Sequence, residues 1–180
     1  MIDQRKKELR KKIRGLKKDF TLDQKKEKSE QIFFKIEQLP EFAESKVILA
    51  YWSMDDEVFT HDFILKYYNE KRFILPVVKG DVLELKEFKG LSNLKKDEVF
   101  GIEEPVGEVF QDLGTIDMII VPGVAFDNEL NRMGRGKAYY DKLLKTTNAL
   151  KVGVCFDFQM VETVPVDQFD IKMDMVLFDS

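Results

Sequence analysis

The amino-acid sequence predicts an α/β fold, a three-layer αβα sandwich around a largely parallel central sheet, with a pair of helices at the N-terminus. Three observations carry that expectation. Two segments of helical periodicity precede any strand, and from residue 47 onward short apolar runs alternate with helix-patterned segments. One run, DMIIV at 117–121, is apolar after its first residue and stops at Pro122-Gly123, as a strand buried on both faces does before a functional loop.

Taken in order, Leu9, Ile13 and Leu16 recur at helical spacing and predict an amphipathic helix over residues 3–18. Thr21 with Gln24 three residues later forms a capping box, so a second helix follows through Ile32, Phe33, Ile36 and Leu39 and ends before Pro40. A strand at 47–52, a helix at 60–69 and a strand at 73–78 make a βαβ unit. Residues 82–88 alternate apolar and polar, the pattern of a half-exposed strand near a sheet edge. After the buried strand at 117–121 come a helix at 137–145, a strand at 152–155 and a last strand at 175–178.

With 180 residues and 44% hydrophobic content, the chain suits a single domain over residues 1–180. No stretch approaches the ~20 apolar residues of a membrane span, and the N-terminus lacks the apolar region of a secretory signal, so a cytoplasmic protein without a membrane partner is expected. Its one cysteine, Cys155, lies in the apolar run VGVC and reads as a buried structural thiol, which excludes a disulfide framework or a thiolate metal site. The net charge of −4 hides an asymmetry: residues 1–28 hold twelve Lys or Arg against five Asp or Glu, while the rest holds 17 against 28. A basic arm is joined to an acidic body.

The segment 131–141, NRMGRGKAYYD, lies past a strand's carboxyl end, where open α/β sheets bind ligands. Gly134 and Gly136 bracket Arg135 and let the backbone turn and approach a ligand, while Arg132, Arg135 and Lys137 put three cations at an expected helix start. Cations at that positive end are costly without an anion, so a phosphate-binding loop and an ATP-using enzyme are expected. The alternative is an ordinary Gly-rich connection with exposed basic residues. Neither a Walker A nor a Rossmann pattern is present. Asp141 follows Lys137 by four residues; a helical ion pair is one account of it, but that order is the weaker one, and a carboxylate held near phosphates for magnesium is the other.

Lys6, Arg10 and Arg14 recur at i,i+4, stacking like charges at a cost that a polyanion would offset; a solvated helix face is the alternative. Nucleic acid is the less fitting polyanion, because no aromatic residue interleaves these cations before Phe20 and the body is acidic. His61, the only histidine, is expected to be exposed and inert at a helix start, and Asp127 to cap N–H groups of its loop.

Together these residues resemble the 5-formyltetrahydrofolate cyclo-ligase family, through KKELR near the N-terminus, YWSMDDE after the first strand, VPGVAFD with NRMGRGKAYYD, and the closing VPVDQFDIKMD. The resemblance implies an enzyme that uses ATP and magnesium to convert 5-formyltetrahydrofolate to 5,10-methenyltetrahydrofolate, with small molecules as partners; a monomer is expected, although the sequence itself does not give the oligomeric state. It implies ATP contacts at Lys6 and Arg10 and a phosphate loop of Arg132, Met133, Gly134, Arg135, Gly136, Lys137, Ala138, Tyr139 and Tyr140, with Arg132, Arg135 and Lys137 bearing the catalysis. Trp52, Met54, Glu57, Phe100 and Tyr140 match the folate pocket, with Glu57 the polar contact to the pterin, and Asp141 and Asp170 match the metal-binding acids. Glu57 has an alternative as a solvated strand-end carboxylate. The chain departs from the family pattern at Leu130 and Ala138, where glycine is common, and at Phe169, where bacterial members often carry histidine. A Cβ at 138 is harmless if that residue is helical and obstructive if its backbone is left-handed.

Two other readings compete. A sugar-phosphate isomerase or kinase on a similar scaffold would need a basic Gly-rich loop, and a nucleic-acid-binding module would use the N-terminal helix.

Overall fold

The computed structural model describes residues 1–99 and 101–180. Two long helices open the chain, α1 (Ile2–Lys17) and α2 (Leu22–Glu37). The capping box between them is formed: Gln24 donates its backbone N–H to Thr21 Oγ1 at 3.1 Å, and the Thr21 N–H donates to Gln24 Oε1 at 2.8 Å. Pro40, expected only to stop α2, instead starts α3 (Pro40–Glu44), since proline's fixed φ and missing N–H suit a first helical turn.

Six strands form the central sheet: β1 (Val47–Leu49), β2 (Arg72–Lys79), β3 (Val82–Phe88), β6 (Met118–Val121), β9 (Leu150–Cys155) and β10 (Met175–Phe178), in the order β10-β9-β6-β1-β2-β3. All neighbours are parallel except the β2–β3 hairpin, which places β3 at the edge, as its alternation predicts. Short pairs lie outside this sheet, β4 (Leu94–Lys96) with β5 (Glu103–Pro105) and β7 (Ala125–Phe126) with β8 (Arg132–Met133).

Alternate residues of the strands feed two cores. Ile48, Phe73, Leu75, Met118, Ile120, Val152 and Val154 pack with α2, α3 and α4 (His61–Tyr67) through Ile32, Phe33, Ile36, Phe42, Phe63 and Ile64. Val47, Leu49, Ile74, Ile119 and Val121 pack the opposite way, with Phe126, Met173 and Leu144 of α5 (Tyr139–Leu144). Cys155 is buried in this second core, and burial pushes its thiol well up. A third cluster seats Ile13 of α1 on Ala125, Met133 and Val164, which fixes the basic helix beside the β7–β8 hairpin.

Candidate active site

The order in which strands are added reverses between the parallel neighbours β1 and β6: β1 leads through α4 to β2 on one side, and β6 leads through α5 to β9 on the other. The crevice at such a switch point is where open α/β sheets bind ligands. Tyr51 and Trp52, just past β1, and Pro122 and Gly123, just past β6, line a cavity of about 800 Å3 there. Nine Lys or Arg and six Asp or Glu contribute to its walls, a positive balance in a protein of net charge −4.

One wall is cationic. Arg132 is 6% exposed, donates Nε to the Pro122 carbonyl at 2.6 Å, and lies with its guanidinium carbon 5.1 Å from the centre of the Tyr140 ring. No carboxylate comes within ion-pair distance of it among the described residues, although it feels the fields of Asp141 and Asp170. Burial pulls its pKa down, but arginine stays protonated in proteins, so a nearly buried cation stands against the cavity without an ion-pair partner. Lys137 is exposed on the same wall. Arg10 donates Nε to the Gly134 carbonyl at 2.9 Å, tying α1 to the glycine loop.

The glycines have distinct duties. Gly136 has φ +111°, a conformation that strains any side chain, and a Cβ on Gly134 would sit 3.0 Å from Arg132 Nη2. The helix begins two residues later than expected, at Tyr139, because Ala138 is left-handed (φ 57°, ψ 21°) and accepts only the first helical hydrogen bond, from Lys142 N. Lys137 therefore precedes the helix, and no ion pair forms between it and Asp141. Met133 points away from the cavity into the α1 contact, leaving only its backbone for a ligand.

Asp141 and Asp170 both line the cavity. Asp141 Oδ1 accepts from Ile171 N at 3.2 Å, and Asp170 Oδ2 accepts from Lys6 Nζ at 2.9 Å and from Asp167 N at 2.9 Å. Lys6 also pairs with Asp167 at 3.3 Å; burial alone would lower its pKa, but the two carboxylates outweigh that and raise it. No cluster of three or more His, Cys, Asp or Glu suited to a metal occurs among the described residues.

The other wall is apolar and aromatic. Leu75, Pro76, Val78 and Leu83 of the β2–β3 hairpin face Tyr139, whose hydroxyl donates to the Gly80 carbonyl at 3.0 Å. Trp52 lines the cavity, stacked 3.8 Å from His61 and 5.3 Å from Phe88, and its indole N–H is buried with no acceptor among the described residues. His61 is thus half-buried rather than exposed: stacked on Trp52, with Nε2 2.9 Å from the Ser53 carbonyl, and its pKa lowered chiefly by burial. Ser53 and Thr60 exchange backbone and side-chain bonds of 3.1 and 2.9 Å, pinning the loop that carries Met54 and Glu57. Glu57 Oε1 accepts from Met54 N at 2.9 Å; its side chain is 13% exposed and burial raises its pKa. Tyr140 lines the cavity too, kept a neutral phenol by burial. Phe100 lies outside the described residues.

Arg135 does not join the cationic wall alone. Its Nη2 lies 3.0 Å from Asp56 Oδ1 and 3.8 Å from Glu57 Oε2, and Asp56 also pairs with Lys17 at 3.7 Å. Sequence reasoning missed Lys17, Asp56, Asp167 and Lys145, because only tertiary structure brings Lys17 to Asp56, Asp56 to Arg135, Asp167 to Lys6 and Lys145 to Phe169. Asp127, by contrast, behaves as its position after VAF suggested: its carboxylate accepts from the N–H groups of Glu129, Asn131 and Val164 and from Asn131 Nδ2, at 2.9 to 3.0 Å.

Fold and cavity together define an α/β protein with a cleft at the sheet's switch point, lined by cations on one wall and by apolar and aromatic side chains on the other. The chain belongs to the 5-formyltetrahydrofolate cyclo-ligase family, whose sequence profile matches residues 2–179. A solved 5,10-methenyltetrahydrofolate synthetase from Aquifex aeolicus is 39% identical and superposes with a TM-score of 0.84, covering 96% of this chain and 88% of its own. The 5-formyltetrahydrofolate cyclo-ligase of Escherichia coli strain K12 is 30% identical over 93% of this chain and 97% of its own length. A Mycoplasma pneumoniae 5,10-methenyltetrahydrofolate synthetase, 24% identical with a TM-score of 0.78, covers 97% of this chain and 99% of its own and shares the fold.

Proposed function

We propose that the cavity carries out ATP-dependent cyclisation of 5-formyltetrahydrofolate to 5,10-methenyltetrahydrofolate, releasing ADP and phosphate, by phosphorylating the formyl oxygen. The formyl group on N5 is an amide, and its oxygen is a poor leaving group when N10 attacks the carbon. Attack of that oxygen on the γ-phosphorus forms an O–P bond, breaks the bond to ADP and gives an N5 iminium phosphate. N10 then adds to the carbon and loses its proton, and the C–O bond breaks to expel phosphate and leave the conjugated methenyl bridge. No side chain need be a covalent nucleophile. Phosphoryl transfer asks mainly for positioning and charge neutralisation.

The observation that carries this reading is Arg132, a nearly buried guanidinium held by one carbonyl and facing the cavity without an ion-pair partner among the described residues. We assign the transferring phosphates to Arg132 and Lys137, with Lys6 and Arg10 on α1 and the backbone of residues 133–140 completing the ATP contacts. Arg135, which lines the cavity 3.8 Å from Glu57, is assigned to the transferring phosphate where it meets the formyl oxygen. Trp52, Met54, Glu57 and Tyr140 hold the pterin, which Glu57 orients. Asp141 and Asp170 fit a magnesium ion held mainly by phosphates, because each lines the cavity and has one carboxylate oxygen outside the hydrogen bonds named above. The ion would neutralise phosphate charge. In this reading residues 1–180 act as one cytoplasmic, monomeric domain with small molecules, not nucleic acid or membrane, as partners. Among the described residues no helix is long and apolar enough to cross a membrane.

The mechanism is tested by turnover of substrate labelled with oxygen-18 in the formyl group. Label appearing in the released phosphate is expected; label lost only to water would refute phosphorylation of that oxygen.

A further inference from the structure

Phe169 is a large apolar side chain that is 60% exposed, yet its backbone is firmly held. Its N–H donates to Asp167 Oδ1 at 2.8 Å, the Asp167 N–H donates to Asp170 Oδ2 at 2.9 Å, and both carboxylates pair with Lys6 of α1. A turn fixed by these four side-chain bonds thus presents a phenyl ring on the cavity wall. Lys145 Nζ lies 5.3 Å from the ring centre and gives the ring an electrostatic contact, but does not cover it. An exposed aromatic ring on a rigid mount, in the wall of a ligand cavity, is suited to stacking a planar ligand.

Two planar groups enter the cavity in the reaction above, the purine of ATP and the ring system of the folate. Trp52 and Glu57 lie on the wall assigned to the pterin, whereas Phe169 sits next to Asp170 and Lys6 on the wall assigned to nucleotide phosphates. We infer that Phe169 is the stacking platform for the purine base of ATP and sets the preference for a purine over a pyrimidine triphosphate. This rests on the ATP reading of the cationic wall. A ring offers a π-face and no hydrogen-bonding edge, so it discriminates by stacking area, and purines present more than pyrimidines.

Calorimetric titration of the full chain with the anions ATP, CTP and inorganic tripolyphosphate, and separately with 5-formyltetrahydrofolate, for wild type, Phe169→Ala and Phe169→Trp, separates base from phosphate and folate binding. Stacking of one base is worth ~1–3 kcal/mol, so F169A is expected to weaken ATP binding by about fivefold to 150-fold. The ATP-over-CTP preference should narrow in F169A, tripolyphosphate binding should be unchanged, and F169W should restore both ATP affinity and preference. Equal ATP affinity in F169A and wild type, or an equal loss for ATP and tripolyphosphate, would overturn the platform while leaving the ATP site intact. Weakening of 5-formyltetrahydrofolate binding in place of ATP would overturn it too, by assigning the ring to the folate. A wild type that binds none of the three anions would overturn the ATP reading itself.

Discussion

Replacing Ala138 with glycine should stabilise the protein. Ala138 has φ 57°, and Leu130 has φ 69°; they are the two non-glycine residues with positive φ among those described, and both are positions where the family resemblance leads one to expect glycine. A left-handed backbone costs an L-residue roughly 1–2 kcal/mol. Glycine removes that cost but gains about 0.4–1 kcal/mol of unfolded-state entropy. Ala138 is exposed and its methyl fills no core, so A138G should gain about 0.5–1 kcal/mol. For a chain of this length that is a rise of about 2 to 4 °C in Tm per kcal/mol. Leu130 differs because it is half-buried and packs against the core that holds Phe126 and Leu144. Losing a fully buried leucine side chain costs about 2–5 kcal/mol, so even half of that offsets the relief of strain, and L130G should be destabilised or unchanged. Urea unfolding followed by circular dichroism reads both values. A138G less stable than wild type, or L130G more stable than A138G, would refute the balance of strain against burial.

Other expectations concern the site and its supports. Arg132→Ala and Lys137→Ala should each lower kcat/KM by about two orders of magnitude in steady-state assays, as loss of one preorganised charge does, and near-wild-type kinetics in both would remove these residues from the phosphate site. Asp127→Ala should cost about 3 kcal/mol in chemical unfolding, because it strands buried donors that now share one carboxylate. Burial alone would raise the Asp127 pKa, but its N–H donors outweigh that and hold it below the ordinary value. Its stabilisation is therefore full above the unfolded pKa near ~3.9 and is lost as pH falls through the lower folded value, so the gap between wild type and D127A should close only at strongly acid pH. A gap that closes as pH rises would contradict that sign.

Much of this architecture is readable in the sequence where local chemistry decides it. The α2 capping box and the alternation of β3 depend on residues a few positions apart, and both form as written. Misreadings arise where one residue serves two grammars. Pro40 ends one helix by starting another, and Ala138 delays α5 because its backbone is left-handed, which composition does not reveal. The glycine loop and its cations are legible as a candidate anion site and all line the cavity, and positions 130 and 138, where the family resemblance leads one to expect glycine, both have positive φ. Pairing is not legible: Arg135 meets Asp56 across 79 positions of sequence, and Asp56 meets Lys17 only after α1 docks on the β7–β8 hairpin. Two-residue strands such as β7 and β8 carry too little pattern to be seen in advance.

The central claim is tested most directly by following the methenyl absorbance of 5-formyltetrahydrofolate incubated with the protein, with and without ATP and magnesium. Conversion that requires ATP and releases one ADP for each methenyl bridge is expected. Failure to convert the folate, or conversion at the same rate without ATP, would contradict it.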